Sequence, residues 1–177
     1  ESTSKRGFCG LTDSRHISVV LGEQAGLKDP ILLHNLYVPA GGDEPDPAIN
    51  EKFAHKLQFL DEMEKWFKKG SVPKDHEGVV VGDLNIAPLE HDVWSHKDLL
   101  KVVSHTPIET AGLNRVQAAG KWVDVMRQHD IGPGSRLQGT QDPEGSPWLD
   151  PEFRPRAGHG AVCAVSQLDR SPRNPRD

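Results

Sequence analysis

An α/β fold is the class that this 177-residue sequence predicts, and three observations predict it. Ile31-Leu32-Leu33-His34-Asn35-Leu36-Tyr37-Val38 is an apolar run of strand length closed by Pro39. Val79-Val80-Val81 is a second, closed by Gly82-Asp83. Between them lies one long segment with the period of a helix. Strand, helix, strand in that order is a crossover unit, which lays its two strands side by side in parallel.

The elements follow in order. Residues 1–14 read as a polar loop, Arg15 to Leu21 alternates loosely as a strand, and Gly22 to Pro30 supplies a turn. After the strand at 31–38, Asp46-Pro47 is a helix start signal, with Asp as cap and Pro in the first turn. Ile49, Phe53, Leu57, Leu60, Met63 and Phe67 recur at intervals of three and four, which predicts an amphipathic helix over 47–69 ended by Gly70. His55 falls on its polar side and reads as solvated. Residues 97–104 and 107–119 fit short helices, and Trp122 to Met126 a short helical or extended element. Trp94 and Trp122 read as core aromatics.

The chemistry is concentrated where the second strand ends, at Gly82-Asp83-Leu84-Asn85-Ile86-Ala87-Pro88. Residues i and i+2 of a strand point to the same side. Asp83 and Asn85 are therefore expected to project together from the carboxyl end, where open α/β sheets place their sites. A carboxylate can hold a divalent cation or deprotonate a water, and an amide can hold that water or a phosphoryl oxygen. The same residues also make a good turn. Tyr37, the single tyrosine, stands at the end of the other strand, where its phenol can reach a phosphate in the same crevice.

Composition narrows the field. Hydrophobic content of 35% and mean hydropathy of -0.58 are poor for a packed α/β core. A net charge of -5 gives no general support for a nucleic-acid partner, although a local basic face is compatible with it. Cys9 and Cys163 form no C-x-x-C and suggest neither a disulfide framework nor a zinc site. Glu90-His91-Asp92-Val93-Trp94-Ser95-His96 gathers acids and histidines, but at no metal-ligand spacing. Without an apolar run of membrane-spanning length or a leader, a soluble, cytoplasmic, monomeric protein is expected.

Asn35-Leu36-Tyr37-Val38-Pro39-Ala40-Gly41 and Gly82-Asp83-Leu84-Asn85-Ile86-Ala87-Pro88 together resemble the exonuclease III type of apurinic/apyrimidinic (AP) endonuclease, a branch of the endonuclease/exonuclease/phosphatase superfamily. Phe8-Cys9-Gly10, Asp13-Ser14-Arg15-His16-Ile17, Asn50-Glu51-Lys52-Phe53, His91-Asp92-Val93-Trp94 and Trp122-Val123-Asp124-Val125-Met126 are similar to bacterial members in the same order. The likeness covers residues 6–129. It implies part of a four-layered α/β sandwich, with residues 1–130 the central portion of the domain. It also implies a Mg²⁺-dependent (alternatively Mn²⁺-dependent) DNA repair nuclease that hydrolyses phosphodiesters at abasic sites and 3′ ends of duplex DNA. Asp83 would act on the water and help place metal, Asn85 would hold the water or a phosphoryl oxygen and help ligate metal, and Tyr37 would hydrogen-bond the scissile phosphate. The His91 loop would pack against the sheet.

The same resemblance predicts what this sequence does not show. The family's early Asn and metal-binding Glu, its Trp-bearing substrate loop and its terminal Asp-His pair have no counterpart here, so the chain reads as truncated at its amino end. Beyond residue 130 the character changes: no lysine follows Lys121, and seven of the 14 prolines lie there. Residues 131–177 read as a Pro-, Gly- and Arg-rich tail, expected to be disordered, through either a disrupted reading frame or natural divergence. Asp169 follows Leu168 as in the family, but Arg170 stands where the His belongs. The 177-residue chain is therefore expected to be inactive. A non-catalytic remnant with weak DNA or metal binding, or a phosphatase or other phosphodiesterase of the same superfamily, are the alternatives.

Overall fold

The computed structural model describes residues 3–124 and a strand at 164–166. Its six strands form one mixed sheet in the order β1-β2-β3-β4-β6-β5. They are β1 (Thr3–Ser4), β2 (His16–Leu21), β3 (Ile31–Tyr37), β4 (Glu77–Asp83), β5 (Trp122–Asp124) and β6 (Ala164–Ser166). The helices are α1 (Glu51–Lys68), α2 (His96–Leu99) and α3 (Pro107–Gly120). As the sequence predicts, β3 and β4 pair in parallel across α1, with Ile31 opposite Glu77 and Tyr37 opposite Asp83. The other pairings are antiparallel.

Alternation divides the sheet into two unlike faces. Leu32, His34 and Leu36 of β3 and Val80 of β4 are buried on the helix side. There Leu36 and Val80 join Phe59, Leu60, Met63 and Phe67 of α1, Leu113 and Val116 of α3, and Trp122 in the core. Gly112 lets the two helices approach, since a Cβ there would lie 3.0 Å from Leu60 Cδ1. On the opposite face Ile17, Val19, Leu33, Val79 and Val81 are only half-buried.

Several expectations need correction. The α1 cap is Asn50, whose side chain accepts hydrogen bonds from the N–H groups of Lys52 and Phe53. Asp46 instead accepts the Ala48 N–H at 2.8 Å within the preceding turn, so Pro47 and Ile49 precede the helix. Trp94 is 77% exposed and not a core aromatic. Trp122 does belong to the core and meets Phe67 edge-on at 5.1 Å. The helix expected over 97–104 shortens to α2, capped by Ser95, and the segment from Trp122 is extended. Residues 164–166 of the expected tail add β6 to the sheet between β4 and β5. The rest of that tail, with Cys163, Leu168, Asp169 and Arg170, lies outside the described residues, as do Val125 and Met126. His55 is half-buried beside the Phe59 ring.

Candidate active site

The site begins with a strand register. Tyr37 and Asp83 are partners at the carboxyl ends of β3 and β4, and the Val38 N–H donates to the Asp83 carbonyl at 2.9 Å. Partners in a ladder project to the same side of a sheet, so both side chains stand on the face away from the helices. Gly82 permits this closeness. Its φ is +131°, and a Cβ there would lie 1.9 Å from the Leu36 carbonyl oxygen.

Asn85 is brought in by a different route from the one the sequence suggests. β4 ends at Asp83, and Asn85 adopts a left-handed backbone with φ 51°, so no strand alternation relates the two residues. A side-chain turn does so instead. The Asn85 N–H donates to Asp83 Oδ1 at 2.9 Å, the local bond that Asp makes two residues on. Asn tolerates the left-handed region better than other residues with a Cβ. The buried Asn85 side chain donates through Nδ2 to the Val38 carbonyl at 2.8 Å, fastening the two loops to each other. Its Oδ1 remains as the acceptor end of the amide.

Three further groups surround this core without having been singled out in the sequence. The Arg15 guanidinium lies 5.3 Å from the centre of the Tyr37 ring and pairs with Asp13 at 2.7 Å, placing a cation beside the phenol, which is 48% exposed. Beneath the site, Lys56 and Glu109 form a fully buried ion pair at 2.5 Å. Lys56 Nζ also donates to the Asn85 carbonyl at 2.7 Å and the Ala40 carbonyl at 3.1 Å. Burial draws the Lys56 ammonium below its usual range, and the charges of Glu109 and Asp83 oppose that effect. A signal for Lys56 does exist in the sequence: it falls three residues after Phe53 and four before Leu60, on the apolar stripe of α1, where a lysine requires a buried counter-charge.

Asp83 and Asn85 offer one carboxylate and one amide oxygen, whereas Mg²⁺ takes six oxygens in near-octahedral geometry. Among the described residues no three His, Cys, Asp or Glu side chains converge to hold a metal ion. The described donors do not make a metal site by themselves. Cys9 is also unsuited to nucleophilic work: burial, with Glu62 and Asp13 nearby, pushes its thiol up to about 11. No helix among the described residues is long and apolar enough to cross a membrane.

The fold is, in part, one shared with solved AP endonucleases and a 3′ phosphatase. The chain superposes on an AP endonuclease from Archaeoglobus fulgidus with a TM-score of 0.63 and 23% identity, covering 94% of this chain and 59% of that one. A 3′ phosphatase from Neisseria bound to its product DNA hairpin gives 0.61 at 19% identity, with 90% and 56% covered. An AP endonuclease from Leishmania major gives 0.59 at 19%, with 89% and 47% covered. The chain thus spans less than two thirds of each of these structures. No protein-family model matches the sequence, and no curated protein is significantly similar to it.

Proposed function

We propose that the chain is the central part of an exonuclease III-like DNA repair nuclease, which hydrolyses phosphodiesters at abasic sites and 3′ ends of duplex DNA. The observation that carries this reading is the pairing of Tyr37 with Asp83 at the ends of adjacent parallel strands, with Asn85 turned back onto the Asp83 carboxylate. Asp83 would orient or deprotonate the attacking water. The Asn85 amide, held by Val38, would present its oxygen end to that water or to a metal. Tyr37 would donate its phenolic hydrogen to the scissile phosphate, with the Arg15 cation adding attraction for the anion. Mg²⁺, or Mn²⁺ in its place, would supply charge stabilisation when bound. Asp83 and Asn85 would hold it only together with oxygen ligands from elsewhere in a longer protein.

A second reading is favoured by that shortfall of ligands at Asp83 and Asn85. On it, the 177-residue chain is a non-catalytic remnant with weak metal or DNA binding. Incubation with an abasic-site duplex and Mg²⁺, of the purified chain and of a protein extended to the length of the neighbours, separates the two. No incision is expected from this chain. Metal-dependent incision that vanishes in Asp83→Ala would show that the described residues suffice and would overturn the remnant reading. A protein extended to the length of the neighbours should incise. Failure of that extended protein to cut any DNA substrate would remove the nuclease assignment.

A further inference from the structure

We propose that the buried Lys56–Glu109 pair is a positioning unit for the candidate site, holding in register the loop that carries Asn85 and the loop that follows Tyr37. Its functional meaning rests on the reading of Asp83 and Asn85 as site residues; its structural content does not.

The pair has more partners than an ion pair requires. The three protons of the Lys56 ammonium go to Glu109 Oε1, the Asn85 carbonyl and the Ala40 carbonyl. One cation thereby ties α1 to both loops. Glu109, in the first turn of α3, accepts from the Ser104 N–H at 2.9 Å, the Thr106 N–H at 3.2 Å and the Thr106 hydroxyl at 2.6 Å. The segment it anchors grips the site loop from the other side. The Ala87 N–H donates to the Ser104 carbonyl at 2.8 Å, and His105 Nδ1 donates to the Ala87 carbonyl at 2.7 Å. Asn85 and Ser104 both have positive φ, 51° and 85°, and each has a backbone group bonded directly to one member of the pair. Left-handed residues of this kind persist where the surroundings over-determine them.

Stability alone does not account for the arrangement. A buried ion pair replaced by apolar side chains of similar volume is often no less stable. An apolar side chain at 56 could fill the same space, but it could not donate to Asn85 and Ala40. Gly41 shows how closely the stem is fitted: a Cβ there would meet Lys56 Cδ at 2.9 Å.

The test compares the full chain with a Lys56→Met/Glu109→Leu double variant by thermal unfolding and by hydrogen exchange of peptides covering residues 38–42 and 84–88. The expected result is a folded variant with a lowered melting temperature, since the Asn85 and Ala40 carbonyls and the Ser104 and Thr106 N–H groups lose their partners, and with exchange at Asn85 and Ala87 faster by about tenfold. Exchange in the middle of α1 should change much less than in these two loops. Unchanged protection of the site loop in a folded double variant would overturn the proposal. Glu109→Gln, which keeps the shape, is the second variant. If neither variant folds, the pair is required for the fold as a whole and the positioning role is rejected. Line broadening by Mn²⁺ at Asp83 is measured in parallel. Its absence in a protein extended to the length of the structural neighbours would count against the metal part of the proposed function while leaving the exchange comparison intact.

Discussion

Mild acid should destabilise this domain through two histidines that are not part of the candidate site. His16 and His34 are buried neighbours on β2 and β3, joined from His16 Nε2 to His34 Nδ1 at 3.1 Å. The Arg6 N–H donates to His16 Nδ1, so the neutral His16 carries its proton on Nε2 and donates it to His34. Burial pulls each imidazole from 6.5 to about 4. His34 and the Arg6 charge add to the effect on His16, and the Ser71 backbone partly opposes it at His34. The folded pKa values are depressed, so the unfolded chain binds protons first as pH falls. Stability is therefore full above about pH 6.5, declines between 6.5 and 4, and levels off below. At about 1.4 kcal/mol per pH unit, the drop from 6.5 to about 4 corresponds to about 3 kcal/mol for each imidazole. Against the stability of an ordinary domain, about 5–15 kcal/mol, that is a substantial loss. Urea unfolding from pH 7.5 to 4.5, followed by fluorescence, is the assay. Trp66 is a suitable reporter, with its ring 4.9 Å from both imidazoles. A His16→Phe/His34→Leu variant should lose most of the slope between pH 6.5 and 4.5. A parent chain with flat stability across that window, or a variant as acid-sensitive as the parent, would refute the reasoning and assign the acid response to carboxylates.

Other substitutions probe the site and its frame. Gly82→Ala should destabilise by about 3 kcal/mol or more, because its positive φ and the contact with the Leu36 carbonyl leave no room for a methyl group; a melting temperature within two degrees or so of the parent's would contradict this. Trp94→Ala should change stability by less than about 0.5 kcal/mol, since the side chain is largely in solvent, and a large loss in urea unfolding would restore it to the core. In a nuclease extended to the length of its structural neighbours, Asp83→Ala should lower kcat by orders of magnitude with a modest change in DNA affinity. Near-normal turnover would remove Asp83 from the water-activating role.

The crossover unit was legible because length, period and punctuation agreed: two apolar runs, one helical stripe, and Pro or Gly at the joins. That agreement also put Tyr37 and Asp83 at one sheet edge, since parallel pairing leaves little freedom of register once both strands are fixed. Asn85 was placed correctly near Asp83 for the wrong geometric reason. A carboxylate two residues before an N–H can end a strand by capping it, and alternation says nothing about where a strand stops. Asp46 misled for a related reason, because it and Asn50 are both capable caps and only the packing of Phe53 against the core decides between them. Trp94 was misplaced because aromatic content carries no information about which way a loop turns. Lys56 and Glu109 lie 53 residues apart in sequence, and their pairing depends on α1 meeting α3, a tertiary contact that no local pattern contains.

The two unlike faces of the sheet separate what a substitution can damage. Along β3 and β4, Leu32, His34, Leu36 and Val80 face the helices, while Leu33, Asn35, Tyr37, Val81 and Asp83 face away. Selection for abundance and selection for chemistry should then act on interleaved positions of the same strands. Scored for cellular level, a complete set of single substitutions across residues 31–37 and 77–83 would rise and fall with a period of two. Scored for activity in a full-length protein, the same set would show the opposite phase toward Tyr37 and Asp83, where each strand's last outward residue carries the site.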